Sequence, residues 1–266
     1  MAASSGTVYE ARLGSEVRKL LKEGADYIKI VASGGSTRTS DPNRASYTVP
    51  ELAAMTDEAR RHGKLTAAHC TSAQSVQNCL DAGVDMIIHC IFTEPDGTYR
   101  FRPDLVERLV AAKAWVNPTL YVMKAGIERQ REVREREGRL TPELEAQFEA
   151  GRRALDVRVD AVRQMSEAGV LMTAGSDSPW GWYAPGEFVH EIHMLAQAGL
   201  SYSEAIVAGT AGAADSIGVG ALSGRLLPGR QADVLVVRGD PMREITDLWN
   251  VLDVYQAGRR IERGIV

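Results

Sequence analysis

Four polar residues fall inside or directly after short apolar segments of the sequence: Lys29, His69, His89 and Asp177. Imidazole and carboxylate groups are ligands that a first-row divalent metal such as zinc accepts. A bound metal lowers the pKa of water towards 7, which provides a nucleophile at neutral pH. Asp177 could accept a proton from that water and pass it to a leaving amine. The four residues therefore predict a hydrolase that uses a metal-activated water.

Lys29 stands between Ile28 and Ile30, in a segment that predicts a buried strand. An unpaired ammonium ion is costly to bury. A buried lysine has a lowered pKa and can react as a neutral amine, and carboxylation by CO₂ would convert it into an anionic oxygen ligand. We therefore expect Lys29 to be a buried metal ligand. The alternative is an edge residue whose ammonium group points into solvent.

Each of the other three residues also has a structural interpretation. A histidine at the end of a strand is often a satisfied structural residue, and this applies to both His69 and His89. The Ser176-Asp177 pair between a strand and a helix is often a helix cap. Since all four polar residues follow or lie within four of five predicted strands, we favour the metal site.

Short apolar segments alternate with amphipathic helices along the first 200 residues. The predicted strands cover residues 26–33, 64–69, 84–89, 114–120 and 170–174. The predicted helices cover residues 9–24, 50–62, 72–82, 103–112, 124–168 (two helices that break near Gly138) and 186–198. This alternation predicts an α/β fold with a parallel sheet, more than half of a (β/α)₈ barrel. A doubly wound open sheet is the alternative, but the sequence has no G-x-G-x-x-G loop to favour it.

The C-terminal part has a different pattern. Residues 201–217 predict two short helices, and three β-like runs follow at 233–237, 251–256 and 259–261. A turn at Ala257-Gly258 joins the last two runs as a hairpin. We therefore predict a partial barrel over residues 1–218 and a β segment over residues 219–266.

The composition argues against a nucleic-acid-binding protein and against a membrane-spanning protein. Of the 266 residues 44% are hydrophobic and 25% are charged, and the net charge is −4. No basic patch suggests nucleic acid as a partner, and no apolar run reaches the roughly 20 residues that cross a bilayer. We expect no signal peptide, and we interpret Cys70, Cys79 and Cys90 as reduced packing residues of a cytoplasmic protein.

The helix at 186–198 contains a second histidine pair. His190 and His193 flank Glu191, but the zinc-protease motif H-E-x-x-H would need a histidine at position 194, which is methionine. We therefore interpret both histidines as residues on the solvent side of this helix.

Several segments together resemble the amidohydrolase superfamily, in its imidazolonepropionase-like and Xaa-Pro dipeptidase-like branch. The resemblance runs from about residue 10 to the end of the chain, and its segments are GADYIKIVASGG, KLTAAHCTS, GVDMIIHC, GVLMTAGSDSPWG, AGLSYSEAIVAGTAGAADSIGV, GRLLPGRQADVLVVRGDP and VYQAGRRI. The resemblance implies a (β/α)₈ barrel with a small β-sandwich built from both chain ends. It also implies one or two metal ions, typically zinc.

The resemblance also implies roles for individual residues. Lys29 would be the carboxylated, metal-bridging lysine on barrel strand four. His69 and His89 would be metal ligands on strands five and six. Asp177 would be the ligand and proton shuttle on strand eight. Tyr121, just after strand seven, would bind substrate or contact the oxyanion.

One family feature is missing from the sequence. Family members carry a His-x-His pair on the first barrel strand, whereas the five histidines here are His62, His69, His89, His190 and His193. Three barrel strands also have no counterpart, so we expect a second polypeptide or a homo-oligomer to supply them. The expected reaction is hydrolysis of an amide, cyclic amide or dipeptide C–N bond in a small molecule. The alternatives are a subunit that is inactive alone and a lactone or ester hydrolase.

Overall fold

The computed structural model describes residues 5–34, 41–180 and 183–262, and their side chains from residue 9 onward. The chain forms two compact units. The first unit contains Met1–Asn117 together with Glu167–Leu171, and the second contains Pro118–Ser166 together with Met172–Val266. Each unit is described by itself below.

The first unit is built on a parallel sheet flanked by helices. Its elements are α1 (Ser5–Lys22), β1 (Ile28–Val31), α2 (Val49–Arg61), β2 (Thr66–His69), α3 (Ala73–Asp81), β3 (Met86–Ile88), α4 (Pro103–Ala112) and β4 (Trp115–Asn117). The strand order is β1-β2-β3-β4-β5, and the first residue of β5 (Leu171–Met172) belongs to this unit. The parallel five-stranded sheet confirms the predicted α/β class.

Local signals in the sequence set where the helices begin. Ser72 caps α3, because its hydroxyl accepts the Ser75 N–H at 3.2 Å and the Ser75 hydroxyl accepts the Ser72 N–H at 3.3 Å. Pro103 opens α4 at a position where its missing N–H has no helical partner to lose. The α3 cap follows three residues after His69, so it fixes the chain just beyond the end of β2.

The two faces of this sheet differ in burial. Residues that lie side by side in neighbouring parallel strands share a face. One face is fully buried and carries Ile28, Ile30, Thr66, Ala68, Ile87 and Val116. The other face, called the open face here, carries Lys29, Val31, Ala67, His69, Met86, Ile88, Trp115 and Asn117, of which only Ala67 and Met86 are buried.

The predicted burial of Lys29 is wrong. Along β1 the side chains of Ile28 and Ile30 are buried, whereas those of Lys29 and Val31 are exposed. Successive side chains of a strand point to opposite faces, so the apolar flanks of Lys29 occupy the buried face and the lysine occupies the open face. Val31 on this face is 50% exposed, which shows how little covers the end of β1.

The second unit combines helices with a small antiparallel sheet. Its elements are α5 (Leu120–Arg136), α6 (Pro142–Glu167, of which the last residue lies in the first unit), the second residue of β5, α7 (Val189–Gln197), α8 (Tyr202–Ala208), α9 (Ala211–Ser216), β6 (Val234–Val237), a 3-10 helix (Ile245–Trp249), β7 (Val251–Gln256) and β8 (Arg259–Arg260). The predicted break near Gly138 is confirmed. Ala257 and Gly258 both have positive φ, as a two-residue hairpin turn requires.

The three C-terminal β runs are confirmed as one sheet of order β6-β7-β8. The numbering of the parallel strands as four to eight of a barrel, the composite sandwich and the domain boundary after residue 218 stay predictions. Cys70, Cys79 and Cys90 are buried thiols, and none of them forms a disulfide within the described residues. No helix in the described part of the chain is long and apolar enough to cross a membrane.

Candidate metal centre

His69 and His89 meet at the carboxyl end of the parallel sheet. His69 is the last residue of β2, and His89 directly follows β3. The Nε2 atom of His89 lies 2.9 Å from the Nδ1 atom of His69, and the two rings are nearly perpendicular, with an interplanar angle of 77°. The structure therefore brings together the two imidazoles that the sequence predicts as ligands.

The backbone at His89 adopts a conformation that L-residues rarely use. His89 has φ 66° and Cys90 has φ 51°, both in the left-handed region. The His89 N–H donates to the Asn117 carbonyl at 2.8 Å, and the Cys70 N–H donates to the Ile88 carbonyl at 3.0 Å. Strained backbone of this kind persists where neighbouring contacts enforce it, and it is common at functional sites. Here it turns the His89 ring towards His69.

The surroundings of His69 favour its neutral form. Burial lowers the pKa of the His69 imidazole, and the nearby positive charge of Lys29 lowers this pKa further. The Nε2 atom of His69 is buried and has no hydrogen-bond partner within the described residues. A neutral imidazole is the form that binds a metal ion.

The two imidazole nitrogens fit a shared metal ion as two of its ligands. Tetrahedral zinc with N–Zn bonds of 2.0–2.1 Å separates two nitrogen ligands by about 3.3 Å, so a shift of a few tenths of an ångström would suffice. Within the described ranges, no three His, Cys, Asp or Glu side chains form a group that could hold a metal. The further ligand from the first unit would be Lys29, which shares the open face with His69.

Asn117 is a candidate that the sequence interpretation missed. It ends β4 and lies beside Ile88, which in turn lies beside His69, so all three share the open face. Its side-chain oxygen Oδ1 is buried and has no hydrogen-bond partner within the described residues. An orphaned buried acceptor is unusual in proteins and calls for an explanation such as a ligand. The sequence predicts a strand over residues 114–120, with Asn117 in its interior, so only the observed end of β4 at Asn117 reveals this position.

Asp177 belongs to the second unit, where it follows β5 in a tight turn. It is half-buried with φ 52°, and its carbonyl accepts the Trp180 N–H at 3.1 Å. The Ser178 hydroxyl donates to the Tyr183 carbonyl at 2.8 Å, which anchors the turn. The structure thus places His69, His89 and Lys29 in the first unit and places Asp177 and Tyr121 in the second.

Tyr121 is the second residue of α5 and is buried. Its ring is stacked on His190 with centroids 4.2 Å apart and meets Tyr183 edge-on at 4.8 Å. The prediction that His190 and His193 lie on the solvent side is therefore wrong. Both histidines are half-buried, because Tyr121 packs on His190 and Trp249 packs on both.

Glu191 is a second residue whose importance the sequence did not show. Its side chain on α7 is fully buried, and its two oxygens accept the N–H groups of Leu120 and Tyr121 at 2.9 and 2.7 Å. Burial raises the pKa of Glu191 to about 7, and the charge of Asp177 adds to this rise. The two hydrogen bonds and the charge of Arg158 oppose it. Its signal in the sequence was weak, because α7 contains other polar residues, including His190 and His193 on either side of Glu191.

Comparison with known proteins identifies the family of the chain. The Amidohydrolase family model matches residues 3–261. The ochratoxinase of Aspergillus niger is 28% identical to the chain over 232 residues, which make up 86% of the chain and 44% of the ochratoxinase. The chain therefore spans less than half the length of this curated relative.

Two solved structures have similar folds. A Xaa-Pro dipeptidase with bound methionine has a TM-score of 0.79 at 24% identity, and the match covers 96% of this chain and 59% of the dipeptidase chain. The crystal structure of A. niger ochratoxinase has a TM-score of 0.75 at 25% identity, with 93% of this chain and 53% of that chain covered.

Proposed function

Because the chain belongs to the amidohydrolase family, we propose that it is the catalytic part of a metal-dependent hydrolase. The reaction is the hydrolysis of an amide, cyclic amide or dipeptide C–N bond in a small molecule. The observation that carries the proposal is the pair of imidazole nitrogens, 2.9 Å apart, at the carboxyl ends of β2 and β3. In barrel enzymes, catalytic residues come from these ends of the strands.

His69 and His89 would hold a divalent metal, which in this family is typically zinc. Lys29 in its carboxylated form and the Asp177 carboxylate would complete its ligands. When bound, the metal supplies Lewis-acid chemistry, which polarises the substrate carbonyl and activates water. The Lys29 ammonium cannot act as a ligand, so its carboxylation is part of the proposal.

The protein residues have separate tasks in this reaction. The water oxygen forms a bond to the carbonyl carbon, the C–N bond breaks, and the leaving nitrogen gains a proton. Asp177 accepts the proton from water and delivers it to that nitrogen, as general acid–base catalysis requires.

Two further residues would bind the substrate. Asn117 offers a buried carbonyl oxygen that accepts a hydrogen bond from a substrate N–H group. Tyr121 would contribute its phenol group. The similarity to a Xaa-Pro dipeptidase and to an ochratoxinase supports a substrate with an amide bond.

The open face supports a proposal about assembly. Lys29 and Val31 are exposed on a face of the sheet that holds the proposed ligands. An active site must exclude bulk water, because electrostatic interactions inside the site are stronger when water is absent. We propose that further barrel strands cover this face, supplied by additional sequence of the same polypeptide, by another copy or by a complementary chain.

Hydrolysis assays on a panel of Xaa-Pro dipeptides, N-acyl amino acids, cyclic amides and lactones test the proposed reaction. We expect C–N bond cleavage that a chelator abolishes and zinc restores. Asp177→Asn should lower kcat by about 10²–10⁴-fold, whereas Asp96→Asn, which changes an exposed turn carboxylate, should leave kcat unchanged. Cleavage of lactones alone, or full activity of the Asp177 variant, would contradict the proposal.

A further inference from the structure

The start of α5 is capped by a residue far away in the sequence. Glu191 lies 70 residues after Tyr121, yet its carboxylate accepts the N–H groups of both Leu120 and Tyr121. The first N–H groups of a helix have no partner within the helix, and the helix dipole favours a negative charge there. Glu191 therefore satisfies two N–H groups that α5 cannot satisfy itself.

The residue that should cap α5 does not perform this task. Thr119 occupies the N-cap position, but it has a left-handed backbone with φ 50° and its side chain makes no capping hydrogen bond. Its hydroxyl instead donates to the Pro118 carbonyl at 2.8 Å. Arg158 of α6 donates to the same carbonyl at 2.6 Å. The first residues of α5 are therefore held from outside, by α6 and α7.

Two residues of α7 hold Tyr121 in place. Glu191 binds its backbone N–H at 2.7 Å, and the neighbouring His190 stacks on its ring with an interplanar angle of 7°. The Tyr183 ring packs edge-on against the Tyr121 ring. The position and the direction of the Tyr121 side chain thus depend on α7.

A carboxylate is a costly choice for a helix cap in a fully buried position. A neutral acceptor would satisfy an N–H group with a smaller desolvation cost. A carboxylate, however, binds two neighbouring N–H groups at once through charge-assisted hydrogen bonds, which are stronger than neutral ones. We propose that Glu191 is a positioning residue that fixes Tyr121 for substrate binding. This inference rests on the proposed function, in which Tyr121 contacts the substrate.

Glu191→Gln tests the inference, with Glu204→Gln as the matched control. Glu204 also caps a helix, since it accepts the Ser201 N–H at 2.8 Å at the start of α8, but its side chain is exposed and caps a different helix from the one that carries Tyr121. We expect Glu191→Gln to lower kcat/KM by about tenfold or more, mainly through KM, because displaced contact groups weaken substrate positioning. Glu204→Gln should change stability alone.

A double-mutant cycle with Tyr121→Ala separates positioning from a purely structural role. If Glu191 acts through Tyr121, Glu191→Gln causes little further loss of kcat/KM once Tyr121 is alanine, since the two residues are coupled. Independent, additive losses would overturn the inference, as would a kcat/KM of Glu191→Gln equal to that of the control. Glu191→Asp, which keeps the charge, replaces Glu191→Gln in the cycle if the glutamine variant does not fold.

Amide hydrogen exchange tests the contact independently of activity. In Glu191→Gln we expect faster exchange at Leu120 and Tyr121, with no change at these amides in Glu204→Gln. Unchanged exchange at both amides would overturn the inference. A protein that hydrolyses none of the amide substrates would refute the proposed function, whereas the exchange result would still decide whether Glu191 holds the start of α5.

Discussion

The Nε2 atom of His89 lies 2.9 Å from the Nδ1 atom of His69, across the ends of two neighbouring parallel strands. In the metal-free form one of these nitrogens must carry the proton of the hydrogen bond. A metal ion that binds both nitrogens requires this proton to move to the other nitrogen of its ring, and protonation of either imidazole as pH falls would weaken metal binding. The two imidazoles thus provide two metal ligands, and further ligands are needed to complete the site.

The proposed carboxylation of Lys29 can be observed directly. With zinc and ¹³C-labelled bicarbonate, we expect the protein to show a ¹³C carbamate signal that disappears in Lys29→Met. Lys64→Met is the control, because Lys64 pairs with Asp26 at 3.3 Å and has no place in the site. A carbamate signal that persists in Lys29→Met would contradict the assignment of Lys29.

Asn117→Ala tests the proposed substrate contact. Loss of one neutral hydrogen bond costs about 1 kcal/mol, so we expect KM to rise about fivefold to tenfold while the zinc content stays the same. Asn250→Ala removes an exposed amide of the second unit and should have no effect. An unchanged KM for Asn117→Ala would show that the orphaned Oδ1 atom serves no substrate.

The buried Glu191 predicts a pH dependence of stability. Burial raises its pKa from 4.5 to about 7, so the folded state holds the Glu191 proton more tightly than the unfolded state does. The contribution of this group to stability is fully present below pH 4.5 and is lost as pH rises through 7. The full difference corresponds to roughly 3 kcal/mol.

Urea unfolding at several pH values measures this difference. The free energy of unfolding of the wild type should fall, relative to that of Glu191→Gln, between pH 4.5 and pH 7. The charge of Arg158 lowers the pKa of Glu191 and the charge of Asp177 raises it, so Asp177→Asn should shift the midpoint of this fall to lower pH. Parallel pH profiles for the wild type and Glu191→Gln would contradict the raised pKa.

The positions of the strands along the chain could be predicted from the sequence because each strand lies within a short apolar run. The apolar run at 64–69 contains the observed strand Thr66–His69, and the run at 84–89 contains the observed strand Met86–Ile88. The observed strands are shorter because the runs also contain the turns that enter and leave the sheet. The C-terminal hairpin was predictable from the same kind of run and from Ala257-Gly258.

Side-chain burial was harder to predict than strand position. Ile28 and Ile30 suggested a buried Lys29, but the sequence does not show which face of β1 its neighbours cover. Glu191 and His190 depend on contacts with Tyr121, which is about 70 residues away. From the sequence, the histidines on α7 are interpreted as solvent-side residues because they do not form an H-E-x-x-H motif, and only the tertiary contacts with Tyr121 and Trp249 show otherwise.

Zinc binding by the purified protein is the most direct test of the central claim that His69 and His89 form a metal centre. Elemental analysis after zinc loading and removal of free metal should find about one or two zinc ions per chain. His69→Ala and His89→Ala should each lose bound zinc, whereas His62→Ala, which changes an exposed histidine beside Glu58, should retain it. Zinc content that is unaffected by either site variant, or absent from the loaded wild type, would contradict the account.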